Sequence, residues 1–393
     1  MSTAAAPSVP RPPAAPVEPD DQRVTALELF FDLVFVFAIT QVTGFLSVNT
    51  TGTGLLQALA IIAVLWWAWS CYAWLGNAAA SDEGPFRVTI LAAMGAMLIV
   101  SLAVPGAFGD EALTFGLAYL AVRALHLVAY MVLSRGDPEL RGAIGRLAIG
   151  MLPAMTLIAL AGALDGTART LCWIAAIAID LTGLAAFGVK GWRVRPAHFA
   201  ERHGLIVIIA LGESIVAIGA GVGHHAIDAG VIAAALFGFA VAAAVWWLYF
   251  DIVVLVADRR FGRARGDEQV KIARDSYTYL HLPMVAGIIL FALGVKKTLA
   301  HVGDPLDDVP AVAMCGGVAL YLLAHVAFRF RIIHRLNYAR AVTAVLLLAA
   351  IPLATVLPSL VSLGLVALAG WALIAYERVR YAELRDRLRH QRA

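Results

Sequence analysis

Long apolar segments follow one another along almost the whole chain, with short polar stretches between them. Each segment is close to the roughly 20 residues that an α-helix needs to cross the hydrocarbon core of a bilayer. The pattern predicts an all-α, polytopic membrane protein with about twelve transmembrane helices. The predicted spans are 27–46, 55–75, 86–104, 113–133, 143–163, 169–188, 203–221, 229–256, 277–299, 309–328, 338–357 and 359–378.

The chain also repeats itself. A Trp-Trp pair occurs in the second span, "VLWWAWSCYAW", and again in the eighth, "AVWWLYFDIVV"; the fourth and tenth spans each contain a histidine. Alignment of Glu28 with Glu201 places Thr40 opposite Glu213. Six spans separate the two copies, and an even number leaves both in the same orientation. We therefore expect a parallel six-plus-six repeat about an axis along the membrane normal.

The repeat divides the chain into two halves, 25–195 and 196–378. Residues 1–24 are rich in Pro and Ala and lack the basic and apolar regions of a signal peptide, so we expect a disordered cytoplasmic tail. Residues 379–393 form a basic tail, also expected in the cytoplasm.

Composition agrees with this pattern, since 61% of the 393 residues are hydrophobic and only 15% are charged. The net charge of +3 does not indicate a nucleic-acid partner, because the basic residues concentrate in alternate loops, as the positive-inside rule describes. With both termini in the cytoplasm, only Arg169, Lys296 and Lys297 fall in outer loops. The cytoplasmic set is Arg135, Arg141, Arg146, Lys190, Arg193, Arg195, Arg202, Arg259, Arg260, Arg263, Arg265, Lys271, Arg274, Arg329, Arg331, Arg335, Arg340 and the C-terminal tail.

Two long motifs carry a family likeness. The stretches "ELFFDLVFVFAITQV" near the N-terminus and "ERHGLIVIIALGESIVAIG" at mid-chain resemble the low temperature requirement A family of bacterial membrane proteins. The resemblance covers nearly the whole chain after Arg23. It implies a multi-pass protein of the bacterial cytoplasmic (inner) membrane, and it supplies no substrate.

A shorter likeness keeps a channel in consideration. The stretch "FFDLVFVFAIT" is similar to the first-helix pattern Phe-Ser-Asp-x-Val-Phe-Ala-Ile-Ala-Ile-Thr of the two-repeat endolysosomal potassium channels and their six-span bacterial relatives. Phe31 stands where that pattern has Ser. The seventh span lacks the Phe-x-Asp element, which puts a symmetric pore in doubt.

Charged and polar side chains inside the spans are the main functional clues, because such residues are costly in a bilayer and usually face the protein interior. Glu213 lies near the midplane of its span, between Gly212 and Ser214. We expect such a carboxylate to bind a proton or a cation. The candidate substrate or ion-coupling residues are Glu213, Asp32, Arg123, His126, Asp180, His281, His325, Glu28 and Ser214.

The first two acids are expected to act separately, Glu28 as a cap at the cytoplasmic edge and Asp32 one turn deeper. Arg123 shares a helical face with His126 and requires an acidic partner. The candidate partners are Asp32, Asp180 and Glu213. A buried polar network that only fixes helix packing explains these residues equally well.

We favour a secondary transporter, with proton coupling, whose partners are the lipid bilayer and an unidentified small solute or ion. A cation channel and an intramembrane enzyme acting on a lipid or isoprenoid remain alternatives. No enzyme, cofactor or metal motif is visible, and the oligomeric state is not predicted. Convergence of Glu213, Arg123, His126 and Asp32 on one cavity between the halves would favour transport, whereas their scattering as separate packed pairs would count against it.

Overall fold

Helices form all the regular elements in the part of the chain that the computed structural model describes, namely residues 24–78, 84–186, 188–223, 226–251 and 253–382. The all-α prediction is therefore confirmed for these residues. Most of the two predicted tails, residues 1–23 and 383–393, lies outside them.

The first half of the chain contains six long helices. A short 3-10 helix, Val104–Gly106, follows the third of them. The long helices are α1 (Ala26–Val48), α2 (Gly52–Ala78), α3 (Gly84–Ala103), α4 (Ala112–Leu133), α5 (Pro138–Ala161) and α6 (Gly166–Ala186).

The second half is less regular. Two of its long crossings contain π-helical segments, Ala273–Tyr279 before α11 and Val312–Gly316 before α13. Its helices are α7 (Pro196–Val222), α8 (Ala229–Phe250), α9 (Val253–Arg263), α10 (Gly266–Ile272), α11 (Leu280–Ala300), α12 (Asp308–Ala311), α13 (Gly317–Ile333), α14 (Tyr338–Ala349), α15 (Ile351–Ala354) and α16 (Ser359–Arg380).

Eleven helical segments in the described residues are long and apolar enough to cross a membrane. The predicted span 338–357 is not one of them, because the chain turns at Ala350, just before Pro352, and splits it into α14 and α15. The two pieces still traverse the bundle. The amide of Leu306 donates to the Ala354 carbonyl at 3.3 Å, at the far end from the α13–α14 turn.

Helix α7 begins at Pro196 rather than at residue 203, which was the predicted start. The proline occupies the first turn, where its missing N–H costs nothing. Two residues that the sequence pattern places in a loop, His198 and Arg202, therefore lie on the helix and are buried. This shift brings a guanidinium into the core of the bundle.

Helices α1 and α7 pack side by side and run in the same direction. Near their N-termini Glu28 contacts Arg202, and farther along both helices Thr40 contacts Glu213. Arg202 and Glu213 are eleven residues apart, about three helical turns, so both face α1.

Candidate functional site

One guanidinium binds both acids of the first helix. Arg202 donates from Nη1 to Glu28 Oε1 at 3.0 Å and from Nη2 to Asp32 Oδ1 at 2.7 Å. The acids lie one helical turn apart on α1, so both can face the same side chain of α7. Glu28 is the outer residue of the two and Asp32 the inner one, as predicted, but both bind the same guanidinium, which the sequence pattern did not indicate.

Further donors complete this cluster. The indole of Trp69 on α2 donates to Asp32 Oδ1 at 2.8 Å, and its ring lies 5.6 Å from the Arg202 guanidinium carbon. His198 Nε2 lies 3.0 Å from Glu28 Oε2. Among described residues, Asp32 Oδ2 has no hydrogen-bond partner although it is buried. A buried oxygen without a protein partner can accept a proton, a water or a solute.

Local sequence places these groups. Thr25 and Glu28 form a capping box that starts α1, with the Glu28 amide donating to Thr25 Oγ1 at 3.2 Å. Gly76 lets α2 approach closely, because a Cβ there would lie 2.3 Å from Glu28 Oε1. Glu28 is thus a cap, as predicted, and also a ligand of Arg202.

Three histidines lie together in the middle of the bundle, on α7, α11 and α13. The ring centroids of His203 and His281 are 5.2 Å apart, and His281 Nε2 lies 2.7 Å from the hydroxyl of Tyr249. The Tyr249 ring is 5.5 Å from that of His325. All these side chains are buried. Sequence reasoning selected His281 and His325 but not His203.

A second arginine–carboxylate pair adjoins His325. Arg340 of α14 donates to Glu377 of α16 from Nε at 2.9 Å and from Nη2 at 2.9 Å, and its Nη1 lies 2.5 Å from His325 Nδ1. Asn337 also donates to Glu377, at 2.7 Å. Sequence reasoning assigned Arg340 to a cytoplasmic loop and overlooked Glu377, although a carboxylate in an apolar span is itself a signal.

Arg123 has the acidic partner that sequence reasoning required. Its two terminal nitrogens bind the two oxygens of Asp180 at 3.0 and 2.9 Å, and Nη1 also donates to the Tyr119 hydroxyl at 2.8 Å. Of the three acids considered, Asp180 is thus the partner. His126 packs against the rings of Tyr72 and Tyr130 instead. The Arg123–Asp180 pair joins α4 to α6 within the first half.

Glu213 has a different environment from the other buried acids. Its Oε2 accepts a hydrogen bond from the Thr40 hydroxyl at 2.6 Å, and the side chain is 2% exposed. Its described contacts include no ion pair, and Lys296 of α11 acts on it only at longer range. The neighbouring Ser214 hydroxyl is buried without a partner in the described part of the chain.

The candidate residues therefore form separate groups rather than one cavity. Glu28 and Asp32 lie in the Arg202 cluster, while Glu213 lies about 16 Å farther along α7. Arg123, His126 and Asp180 form a third group within α4 and α6. His281 and His325 lie between the two arginine–carboxylate clusters. The convergence of Glu213, Arg123, His126 and Asp32 that would favour transport does not occur.

The chain matches the family model described as bacterial low temperature requirement A protein (LtrA) over residues 23–375. It is similar to an uncharacterized protein of Rhizobium meliloti (strain 1021), with 31% identity over 314 residues that cover 77% of this chain and 76% of the relative. No solved structure matches it. The matched range includes every side chain of the groups described in this section except Glu377, which lies just beyond it.

Proposed function

This chain belongs to the bacterial low temperature requirement A family, and we propose that it is a secondary transporter coupling the passage of a small solute to protons. The observation that carries the proposal is Glu213, a buried carboxylate at the contact between the two halves whose described contacts include no ion pair. Ionisable side chains inside membrane helices are typical of the proton and ion sites of pumps and transporters.

A buried polar path runs from Asp32 to Glu377, and both of its ends lie toward the side of the bundle where α1 begins and α16 ends. From Asp32 it passes through the Trp69 indole, whose ring lies 5.1 Å from that of His203. It continues through the central histidines to Arg340. Its members are Asp32, Trp69, His203, His281, Tyr249, His325, Arg340 and Glu377.

Hydrogen bonds do not join every step. Ring contacts connect Trp69 to His203, His203 to His281 and Tyr249 to His325. Because the Trp69 indole and the Arg340 guanidinium donate hydrogen bonds and accept none, these side chains do not pass a proton from one end to the other. They hold the central histidines in polar surroundings, and the coupling role is left to Glu213.

The arrangement of helices supports the repeat that the sequence predicts. In the first half α1 packs on α2 and α3, and α3 packs on α4; in the second half α7 packs on α8 and α11, and α11 packs on α13. Thr40 and Glu213 occupy equivalent positions in the aligned repeats and touch each other. Equivalent residues meet only near a symmetry axis, which supports an axis between α1 and α7. Repeat halves that rock about such an axis are a known basis of alternating access.

Within this proposal Glu213 is the coupling carboxylate. It lies at the contact between the two halves and forms no described ion pair, so its proton can be exchanged without breaking a salt bridge. Arg123 instead serves structure, because Asp180 and Tyr119 already occupy its terminal nitrogens. The protein acts in the bacterial inner membrane with both termini in the cytoplasm, and it carries out no enzymatic reaction.

Proton flux into liposomes tests the proposal. Wild-type protein, given an imposed pH gradient and a library of small solutes, is expected to show solute-dependent proton movement reported by a trapped pH-sensitive dye. Glu213→Gln keeps the size of the side chain and removes the exchangeable charge, so flux should fall to that of empty liposomes. Glu139→Gln is the matched control, since the Glu139 side chain is 71% exposed and lies at the start of α5.

Two results would contradict these assignments. If Glu213→Gln moves protons and solute as the wild type does, Glu213 is not the coupling group. If planar-bilayer recording resolves unitary currents from the wild type, the protein is a channel rather than a transporter.

A further inference from the structure

A cavity of about 450 Å³ lies between α9, α13, the start of α14 and the end of α16. We call it the arginine cavity. Most of the surface of its wall is apolar and includes Val256, Phe328 and Ile332, and arginine side chains also line it. The charged side chains that line it are Arg259, Arg260, Arg263, Arg329, Arg340 and Glu377.

The arginine cavity has an excess of positive charge. Five arginines and one acid line it, and that acid, Glu377, is already bound by Arg340 and Asn337. Arg329 Nε is buried without a hydrogen-bond partner in the described chain, and its guanidinium carbon lies 5.3 Å from the ring centre of Tyr381. Asp258 lies on α9 as well but does not line the cavity. Arg260, Arg263 and Arg329 alone outnumber Glu377, and the excess of positive charge favours an anion.

The position of the cavity favours a ligand that also has an apolar part. Helix α9 follows α8, a long apolar helix, and places Arg259, Arg260 and Arg263 beside valines in the sequence "VVLVADRRFGR". Basic amphipathic helices beside membrane spans typically lie at the interface and attract anionic lipid. The apolar wall can receive the first part of a hydrocarbon chain while the arginines bind its head group.

We propose that the arginine cavity binds the phosphate head group of an anionic phospholipid from the surrounding bilayer. The arginines hold the phosphate oxygens by charge-assisted hydrogen bonds, and the apolar wall formed by α9 and α13 contacts the glyceride end of the acyl chains. The Arg340–Glu377 ion pair also lines the cavity. This binding does not depend on the transport proposed above.

Native mass spectrometry of the purified full-length protein tests the proposal. Phosphatidylglycerol and phosphatidylcholine with identical acyl chains are added separately, and retained lipid is counted. We expect retention of phosphatidylglycerol and about fivefold weaker binding for each cavity arginine removed, in Arg329→Gln and Arg260→Gln. Arg329→Lys should restore part of the affinity. Arg141→Gln is the control, because Arg141 is exposed on α5, away from the cavity.

The remaining outcomes decide between sources of the anion. If inorganic phosphate at millimolar concentration displaces all bound phosphatidylglycerol and binds equally well alone, the site recognises a soluble anion and the lipid assignment fails. Equal retention of phosphatidylcholine, or unchanged binding in both arginine variants, would also overturn the proposal. Because Arg260 is exposed, Arg260→Gln tests the site even if Arg329→Gln does not fold.

Discussion

At the scale of single residues, the buried arginines of the described chain are paired with carboxylates. Arg202, Arg123 and Arg340 are all buried and each binds at least one carboxylate. A buried ion pair gains little over an apolar pair, but removing one partner leaves an uncompensated charge. These arginines therefore constrain which substitutions the bundle tolerates.

Loss of the Arg202 guanidinium should destabilise the bundle strongly. Arg202→Met keeps much of the side-chain volume but leaves the buried Asp32 and the partly buried Glu28 without their guanidinium, at a cost of about 3–5 kcal/mol. Thermal unfolding of the detergent-solubilised protein measures this loss of stability. Arg193→Met should be nearly neutral, because the Arg193 side chain is 76% exposed.

The triple variant Glu28→Gln, Asp32→Asn and Arg202→Met separates charge from packing. It removes both acids with the arginine, so we expect it to unfold at a higher temperature than Arg202→Met alone. A triple variant no more stable than the single one would show that the side chain stabilises through its contact with Trp69 instead.

At the scale of helices, close approach of backbones distinguishes the pairs that hold the bundle together. A Cβ on Gly287 of α11 would lie 2.4 Å from the Gly317 carbonyl oxygen, and one on Gly317 would lie 2.6 Å from the Gly287 oxygen. In the first half, a Cβ on Gly116 of α4 would likewise lie 2.7 Å from the Ile158 carbonyl oxygen of α5. Small residues permit such contacts between membrane helices, where apolar burial alone gives no advantage over lipid.

The substitution Gly287→Ala should separate α11 from α13 and lower the unfolding temperature, because backbone atoms cannot move aside as a side chain can. Gly95→Ala on α3 is the matched control. Nothing lies within 4 Å of its added Cβ, so the gain in helix propensity should leave stability equal or higher. Equal effects of the two variants would contradict the close-packing argument.

At the scale of the whole molecule, the order of crossings determines which loops share a side. Contacts between the turn before α16 and the turn after α11 show that α14 and α15 together reach the far end of the bundle. Counted with this broken pair, the described residues contain twelve candidate crossings, eleven of which are helices long and apolar enough to span a membrane. An even number leaves the starts of α1 and α5 on the side where α16 ends.

Cysteine labelling can test this topology. In a variant without its native cysteines, Asp165→Cys should react in intact cells with a membrane-impermeant maleimide, and Glu139→Cys only after permeabilisation. Both side chains are accessible, with Asp165 97% and Glu139 71% exposed. The reverse pattern would invert the proposed orientation, and labelling of both in intact cells would contradict a crossing by α5.

The apolar pattern alone predicted the class of the fold and most helices. Span 86–104 lies within one residue of the observed end of α3, because segment length and hydropathy are local properties that a bilayer selects directly. The start of α7 was missed because charged residues next to an apolar segment are usually assigned to the adjoining loop. The break in span 338–357 was missed because a single proline in an apolar run is compatible with a continuous helix.

The amino-acid sequence by itself determined that this is a helical membrane protein of a recognisable family, with acids and histidines held inside it. Only the tertiary structure decided the partners: that Glu28 and Asp32 share Arg202, that Arg123 binds Asp180, and that Glu213 binds Thr40. The physical reason is that the hydropathy of a segment depends on the residues of that segment alone, so it can be judged one helix at a time. Pairing of buried charges instead depends on which helix faces which, and residues more than 150 positions apart, such as Asp32 and Arg202, meet only in the assembled bundle.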